Sequence, residues 1–426
     1  MLLYRRHTLA PVGIGLLALG LAERLAFFSP LGAAAIVAGV VLLAAAALAP
    51  NPPGADHLGY PPLLVALCVF TALAPLVPGG LDPATTALTL AGGVAFYVCS
   101  AVPQLRAYRL WLCAVLLIAA HAAIILRVPV PPHQDVWRFL NYGSDVLLRG
   151  ENPYRDIIGP DGLVIRLTYP PAVVLLLAPF RLLLGDIRWT YLLCEAVVVV
   201  LLPRLIRRTG GGVARWQEAL VLIPLVLPRA SQAFYVFSNH EWLLLALALG
   251  GLLLALDQRW LLAGILLGLG IAAKQYFIVF PVLFLLPTLR LRAVIAALGT
   301  AALVTLPFVV WGPAQFFERV FSNLNNAPNP DRVTIWAMLV QAGVPATRTL
   351  ALLLALWGAA TTVALAWLGR RGLEAQLLAC GLALFAFTLG ATLAAYNYYV
   401  YGLVFVTWGL VLSARPSAAN PPRPAP

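Results

Sequence analysis

The chain of 426 residues is 62% hydrophobic and only 10% charged, with a mean hydropathy of +0.91. A soluble domain carries about 25% charged residues, so there is too little polar surface here to solvate a water-exposed globule. The net charge of +12 does not point to nucleic acid, because the arginines gather at the ends of apolar segments (Arg5-Arg6, Arg106/Arg109, Arg290/Arg292, Arg370-Arg371), the pattern of cytoplasmic loops in membrane proteins.

Apolar blocks near the ~20 residues needed to cross a bilayer recur along the chain. The first five fall at 9–28, 31–50, 61–78, 85–103 and 109–129. The basic start and small residues of the first block resemble a secretion signal. The many spans behind it favour an uncleaved first span or signal-anchor. A polar stretch at 131–170 follows. Blocks resume at 171–185, 188–205, 217–237, 240–256, 261–286 (one span or two short segments), 293–311, 349–368, 374–394 and 397–413. A second polar stretch, 312–333, interrupts the last group, and the Pro-rich tail 414–426 reads as disordered. The expected fold is all-α: a polytopic integral membrane protein with about 12–14 transmembrane helices.

Placing MLLYRRH in the cytoplasm puts Arg106 and Arg109 inside and the 131–170 loop outside. One cluster resists. RLIRRTGGGVAR (204–215) reaches the wrong face if both 171–185 and 188–205 cross fully. Either one of the two is a partial span or the charge rule fails there. Cys68, Cys99, Cys113, Cys194 and Cys380 all lie in apolar blocks without CxxC or Cys/His metal spacing, and read as packing residues.

The 131–170 loop concentrates ionisable and aromatic residues in a chain otherwise nearly bare of them. Val136, Phe139, Leu140, Gly143, Val146 and Leu147 recur at helical spacing and predict a short amphipathic helix lying on the membrane. Gly150 is a helix stop, Asn152-Pro153 starts a turn, and the prolines of Thr168-Tyr-Pro-Pro171 suit the first turn of the next span. A solvated connector would need less organisation, and long loops in compact domains tend to be functional.

The run Asp135 … Gly150-Glu-Asn-Pro-Tyr154 … Thr168-Tyr-Pro-Pro171 resembles the loop of polyprenol-phosphate-dependent glycosyltransferases of the GT-C class, most of all glycosyltransferase family 87. The 237–287 segment is similar as well: a polar pair, Asn239-His240, precedes a span, and Lys274, the only lysine in the chain, follows AG-LLG. Tyr396-Asn-Tyr-Tyr399 stands where such proteins carry a polar-aromatic cluster opening the last span. The resemblance covers roughly residues 110–410. Two departures are about four extra spans before the acidic loop, and Ser238-Asn239 where the family has Gly-Gln.

The resemblance implies a GT-C-like core over 109–413 with an external membrane-lying loop helix, preceded by N-terminal spans over 1–108. It implies a multi-pass enzyme of the cytoplasmic (inner) membrane. That enzyme would move a hexose or pentose, mannose favoured, from a polyprenyl-phosphate sugar donor to a lipid or glycan acceptor, with membrane lipid around it and no nucleic acid. Such transfer needs a general base for the acceptor hydroxyl and cationic or hydrogen-bonding partners for the leaving phosphate. Asp135 is the expected base, though the same position suits a helix N-cap, and Asp145 is a more solvated second candidate. Lys274 with Arg155 or Arg166 is expected at the phosphate. An intramembrane lysine is functional by default, unless it snorkels from a span end. Arg138, Tyr154, Tyr169, Asn239, His240 and Tyr398 complete the expected substrate-binding set, the tyrosines also suiting an interfacial aromatic belt. No cofactor is expected. Asp135 and Glu151 lack DxD spacing, so a divalent cation, used by some of the class, is left unassigned. The competing readings are a transporter or flippase of a lipid-linked sugar, which would call for inverted repeats, and a non-catalytic envelope-assembly scaffold.

Overall fold

The computed structural model describes residues 5–24, 29–48, 60–73, 83–129, 135–160, 162–207, 215–227, 230–274, 290–321, 333–345, 347–368, 372–391 and 396–413. The protein is an all-α bundle, as lipid requires: with no water to pair the backbone, a spanning segment must satisfy its own amides. The helices are α1 (Arg5–Arg24), α2 (Pro30–Leu48), α3 (Tyr60–Leu73), α4 (Pro83–Ala101), α5 (Arg109–Arg127), α6 (Asp135–Leu148), α7 (Pro171–Leu184), α8 (Arg188–Arg207) and α9 (Arg215–Leu222). They continue as α10 (Ala230–Val236), α11 (Glu241–Leu256), α12 (Trp260–Ile271), α13 (Leu291–Trp311), α14 (Pro313–Val320), α15 (Ile335–Gln341), α16 (Arg348–Leu368), α17 (Leu373–Gly390) and α18 (Tyr396–Ser413). Among the described residues, 6 helices are long and apolar enough to cross a membrane, and shorter apolar helices of 10–17 residues pack beside them. The predicted loop helix is α6. Gly150 follows it at φ +74, a left-handed turn open to glycine.

Side-chain contacts define two ends of the bundle. At one, Arg109 at the start of α5 pairs with Glu218 at the start of α9. Arg290 lies over the Trp260 ring at 4.6 Å. This is the basic end. At the other, Arg188 at the start of α8 donates to the carbonyls of Val128 (3.0 Å) and Ile125 (3.2 Å). Its guanidinium thereby satisfies open carbonyls at the C-terminus of α5, where a cation is favoured. This is the loop end. It holds α6 and the two-residue strands β1 (Ile157–Ile158) and β2 (Val164–Ile165), paired antiparallel. Val146, Ile157 and Ile165 form a small core of their own beneath Phe139 and Tyr142. Arg319 of α14 reaches Asp156 at 2.8 Å and ties the second polar stretch to the first.

The awkward 204–215 cluster is explained by α7, which does not cross the bundle. At its start the Ala172 N–H donates to the Ala272 carbonyl at 2.9 Å. Near its other end Arg181 grips Asp145 of α6 with two bonds of 2.7 and 3.0 Å. Gly185 (φ +73) then turns the chain, and Trp137 of α6 donates to Asp186 at 3.5 Å. Both ends of α7 therefore stay with the loop. The 171–185 block is the partial span, α8 crosses alone, and Arg204 and Arg207 join the basic end.

Two further expectations change. The single span expected at 217–237 is α9, a 3-10 turn (Ile223–Val226) and α10. Pro224 brings no N–H to a helical ladder, and the Thr71 hydroxyl donates at 2.5 Å to the carbonyl of Val226, the last residue of the 3-10 turn. The 312–333 stretch opens with α14, which buries Phe316, Arg319 and Val320. Residues 322–332 and 414–426 lie outside the described residues.

Close packing sets the position of α12. A Cβ on Gly264 would stand 2.4 Å from the Ala293 carbonyl oxygen, and one on Gly268 would stand 2.4 Å from that of Ala297. Small residues at this spacing let two backbones touch, the usual basis of helix association in lipid. Gly268→Val should therefore destabilise the protein by about 1–3 kcal/mol, read as a fall in melting temperature in detergent. For topology, a membrane-impermeant maleimide should label Leu163→Cys and Leu184→Cys from the same side and Arg259→Cys from the opposite one. Labelling of positions 163 and 184 from opposite sides would mean that α7 crosses.

Candidate active site

The turn between α10 and α11 carries Ser238 at φ +56, a conformation that costs a non-glycine residue energy and persists where the surroundings impose it. The Asn239 N–H closes the turn onto the Phe234 carbonyl at 2.9 Å. The turn delivers His240 and Glu241, both fully buried, to the loop end of α11. Opposite them, α12 ends in a turn that leaves Lys274 buried. Its Nζ meets Glu241 Oε1 at 2.5 Å, and Asn397 Nδ2 of α18 donates to the same oxygen at 2.6 Å. The Tyr401 hydroxyl donates to the Glu241 carbonyl at 3.3 Å. Lys274 Nζ also lies 5.9 Å from the ring centre of Tyr169 and 5.5 Å from that of Tyr398. A buried ammonium is tolerated when it is paired and its pair is further hydrogen-bonded, and aromatic faces add to this.

The loop docks on this hub through Tyr169, whose ring meets His240 edge-on at 4.8 Å. The Tyr154 hydroxyl donates to the Tyr169 carbonyl at 2.9 Å. Tyr154 packs against Phe308 and Phe316, and burial pushes its phenol above the ordinary value, which keeps the donor proton in place. Tyr154, Tyr169, His240, Lys274 and Tyr398 thus come together from distant parts of the chain, with Asn239 in the adjoining turn.

Several polar atoms here are buried without a hydrogen-bond partner among the described residues: Glu241 Oε2, both ring nitrogens of His240, Asn397 Oδ1 and the Tyr191 hydroxyl. Each unsatisfied buried group costs about 1–3 kcal/mol, so native structures hold few. A carboxylate oxygen, an amide oxygen, an imidazole and a phenol form a set suited to a ligand rich in hydroxyls.

Asp135, Arg138, Arg155 and Arg166 lie apart from this set of contacts, on the loop. Asp135 is the exposed first residue of α6, and its carboxylate accepts the Val136 N–H at 2.7 Å. Arg138 is half-buried on the same helix, and Arg155 is exposed. Arg166 pairs with Asp156 at 3.2 Å, the carboxylate that Arg319 also holds. Asp145 is engaged by Arg181. No three His, Cys, Asp or Glu side chains among the described residues gather closely enough to hold a metal ion. Sequence reasoning missed Tyr191 as a member of the hub and noted Asn397 only within the run Tyr396-Asn-Tyr-Tyr399. It also missed a second buried cluster, where His121 Nδ1 lies 3.0 Å from both Glu195 carboxylate oxygens and the Tyr235 hydroxyl donates to Glu195. The available signal was Glu195 itself, a lone acid inside an apolar block.

The model of glycosyltransferase family 87 matches residues 167–395, more than half of the chain. The chain belongs to glycosyltransferase family 87. It is accordingly a glycosyltransferase, built as a multi-pass membrane protein, with a sugar donor and an acceptor as substrates. The matched stretch holds Tyr169, Asn239, His240, Glu241 and Lys274; it begins after Asp135, Arg138, Tyr154, Arg155 and Arg166 and ends before Tyr398. Neither the curated proteins nor the solved structures include a match to this chain.

Removing one partner of the central ion pair leaves the other buried and uncompensated. Lys274→Met or Glu241→Gln alone should cost about 3–5 kcal/mol of stability. The double variant should cost clearly less than the two single costs combined, because the residues couple. Thermal melts of the four proteins in one detergent check this; additive losses would show that the two groups do not depend on each other.

Proposed function

We propose that this family 87 enzyme moves a hexose or pentose, mannose favoured, from a polyprenyl-phosphate donor to a lipid or glycan acceptor, at the loop end of the bundle on the outer face of the cytoplasmic membrane. The acceptor oxygen attacks the anomeric carbon and its proton passes to the Asp135 carboxylate. The bond from that carbon to the phosphate oxygen breaks, and polyprenyl phosphate leaves with the electron pair. Arg138, Arg155 and Arg166 supply cationic donors for the phosphate from the loop. Asn239, His240, Lys274, Tyr154, Tyr169 and Tyr398 hold the substrates. Lys274 acts differently from a free phosphate ligand: paired with Glu241, it orients that carboxylate so that Oε2 and Asn397 Oδ1 accept sugar hydroxyls.

The observation that carries this reading is the docking of the polar loop, through Tyr169, on a hub of buried and partly unsatisfied polar groups. A lipid-linked substrate suits that place, since its tail requires bilayer and its sugar requires polar partners. The basic end, read as cytoplasmic by its arginines, leaves the loop end outside.

The test is Asp135→Asn in purified protein, assayed with polyprenyl-phosphate sugars and extracted lipid acceptors. General-base loss should lower turnover about 10²–10⁴-fold, with donor binding retained. Full transfer by the variant would remove Asp135 as base. Wild-type protein that binds a broad donor panel but transfers no sugar from it would overturn the donor class.

A further inference from the structure

A second site lies at the opposite end of α11 from Glu241. There, between the last turns of α8 and α11, a cleft of about 520 Å³ is lined by Arg204, Arg207, Leu201, Leu253, Leu254 and Asp257. Arg204 and Arg207 are exposed, and the Arg207 Nε–H bonds the Pro203 carbonyl at 3.2 Å, which fixes its stem beside the groove. The outer face of α8 supplies an independent observation. Leu193, Val197 and Val200 are 50%, 40% and 55% exposed. With Arg204 and Arg207 they are spaced four, three, four and three residues apart, which places all five on one helix face. From Leu193 to Arg204 this stripe runs about 16 Å along the helix at 1.5 Å per residue. An apolar track thus ends in two guanidinium groups.

We propose that this cleft binds an anionic glycerophospholipid, with its phosphate between Arg204 and Arg207 and an acyl chain along Leu193, Val197 and Val200. Guanidinium matches phosphate oxygens in charge and geometry, and basic pockets between membrane helices take such headgroups. The carboxylate of Asp257 in the same wall disfavours a second negative group, so a headgroup with one phosphate fits. The site is separate from the sugar-transfer end and does not depend on the donor assigned there.

The experiment titrates the purified full-length protein with phosphatidylglycerol, phosphatidylcholine and inorganic phosphate, reading bound lipid by native mass spectrometry. Wild type should retain phosphatidylglycerol in preference to phosphatidylcholine, and millimolar inorganic phosphate should not displace it. R204Q/R207Q should weaken retention about thirty-fold, at about fivefold per arginine. R204Q alone, at about fivefold, keeps the test if the double variant does not fold. R106Q, which removes a charge from the same end outside the cleft, should leave retention unchanged. The proposal is overturned by equal binding of phosphatidylcholine, by displacement with inorganic phosphate, by unchanged binding in R204Q/R207Q, or by an equal loss in R106Q.

Discussion

Two opposite charges, Glu241 and Lys274, sit buried together at the loop end of the bundle. Neither is stable there alone, so each makes the other necessary, and together they impose conditions on four separate segments. The strained turn at Ser238 must hold Glu241 inward. Gly264 and Gly268 must let α12 approach α13 closely enough to place Lys274. Helix α18 must bring Asn397 to the shared carboxylate oxygen, and the loop must bring Tyr169 over the ammonium. An apolar core would pack more easily, because desolvation of a buried pair commonly cancels its attraction. What the pair supplies is a fixed polar position at the loop end of an otherwise largely apolar bundle.

The loop end is organised around that position by bonds that each close a backbone or charge requirement left by another element. Arg188 closes α5, the Ala272 carbonyl closes the start of α7, and Arg181 holds the amphipathic α6 against it. The result is a platform of short elements lying beside the long helices. Asp135 sits at the start of that platform, and the hub lies where Tyr169 leaves it. The family match covers Tyr169, His240, Glu241 and Lys274 of the hub, but neither Asn397 and Tyr398 nor the start of the platform.

Much of this was legible in the sequence. Block lengths and arginine clusters gave the membrane class and most helix positions, because both follow from bilayer thickness and charge asymmetry, which act locally on the chain. The period of Val136, Phe139, Leu140 and Gly143 placed α6 within two residues of its observed end. Lys274 stood out because a lone charge is expensive in lipid. What the sequence could not supply was pairing. Nothing local to Lys274 says that its partner is Glu241, 33 positions earlier, or that Asn397 joins them from 156 positions beyond Glu241. The partial span was visible only as a conflict over residues 204–215, since a 14-residue apolar helix reads alike whether it crosses or lies against another. Helix α14 was hidden because its buried face includes an arginine.

The short helices around the hub have a mechanical effect on the surrounding bilayer. At 1.5 Å per residue, the 16 residues of α11 span about 24 Å and the 12 of α12 about 18 Å, against about 32 Å for the 21 of α13. Helix α11 is mostly buried, but α12 exposes Leu261 and Leu262, and a short helix that faces lipid relieves hydrophobic mismatch by thinning the membrane. A headgroup approaching from that side is met part-way by a depressed surface. Transfer should then respond to acyl-chain length in the host bilayer, with thin membranes favouring the reaction before any change is made to the protein.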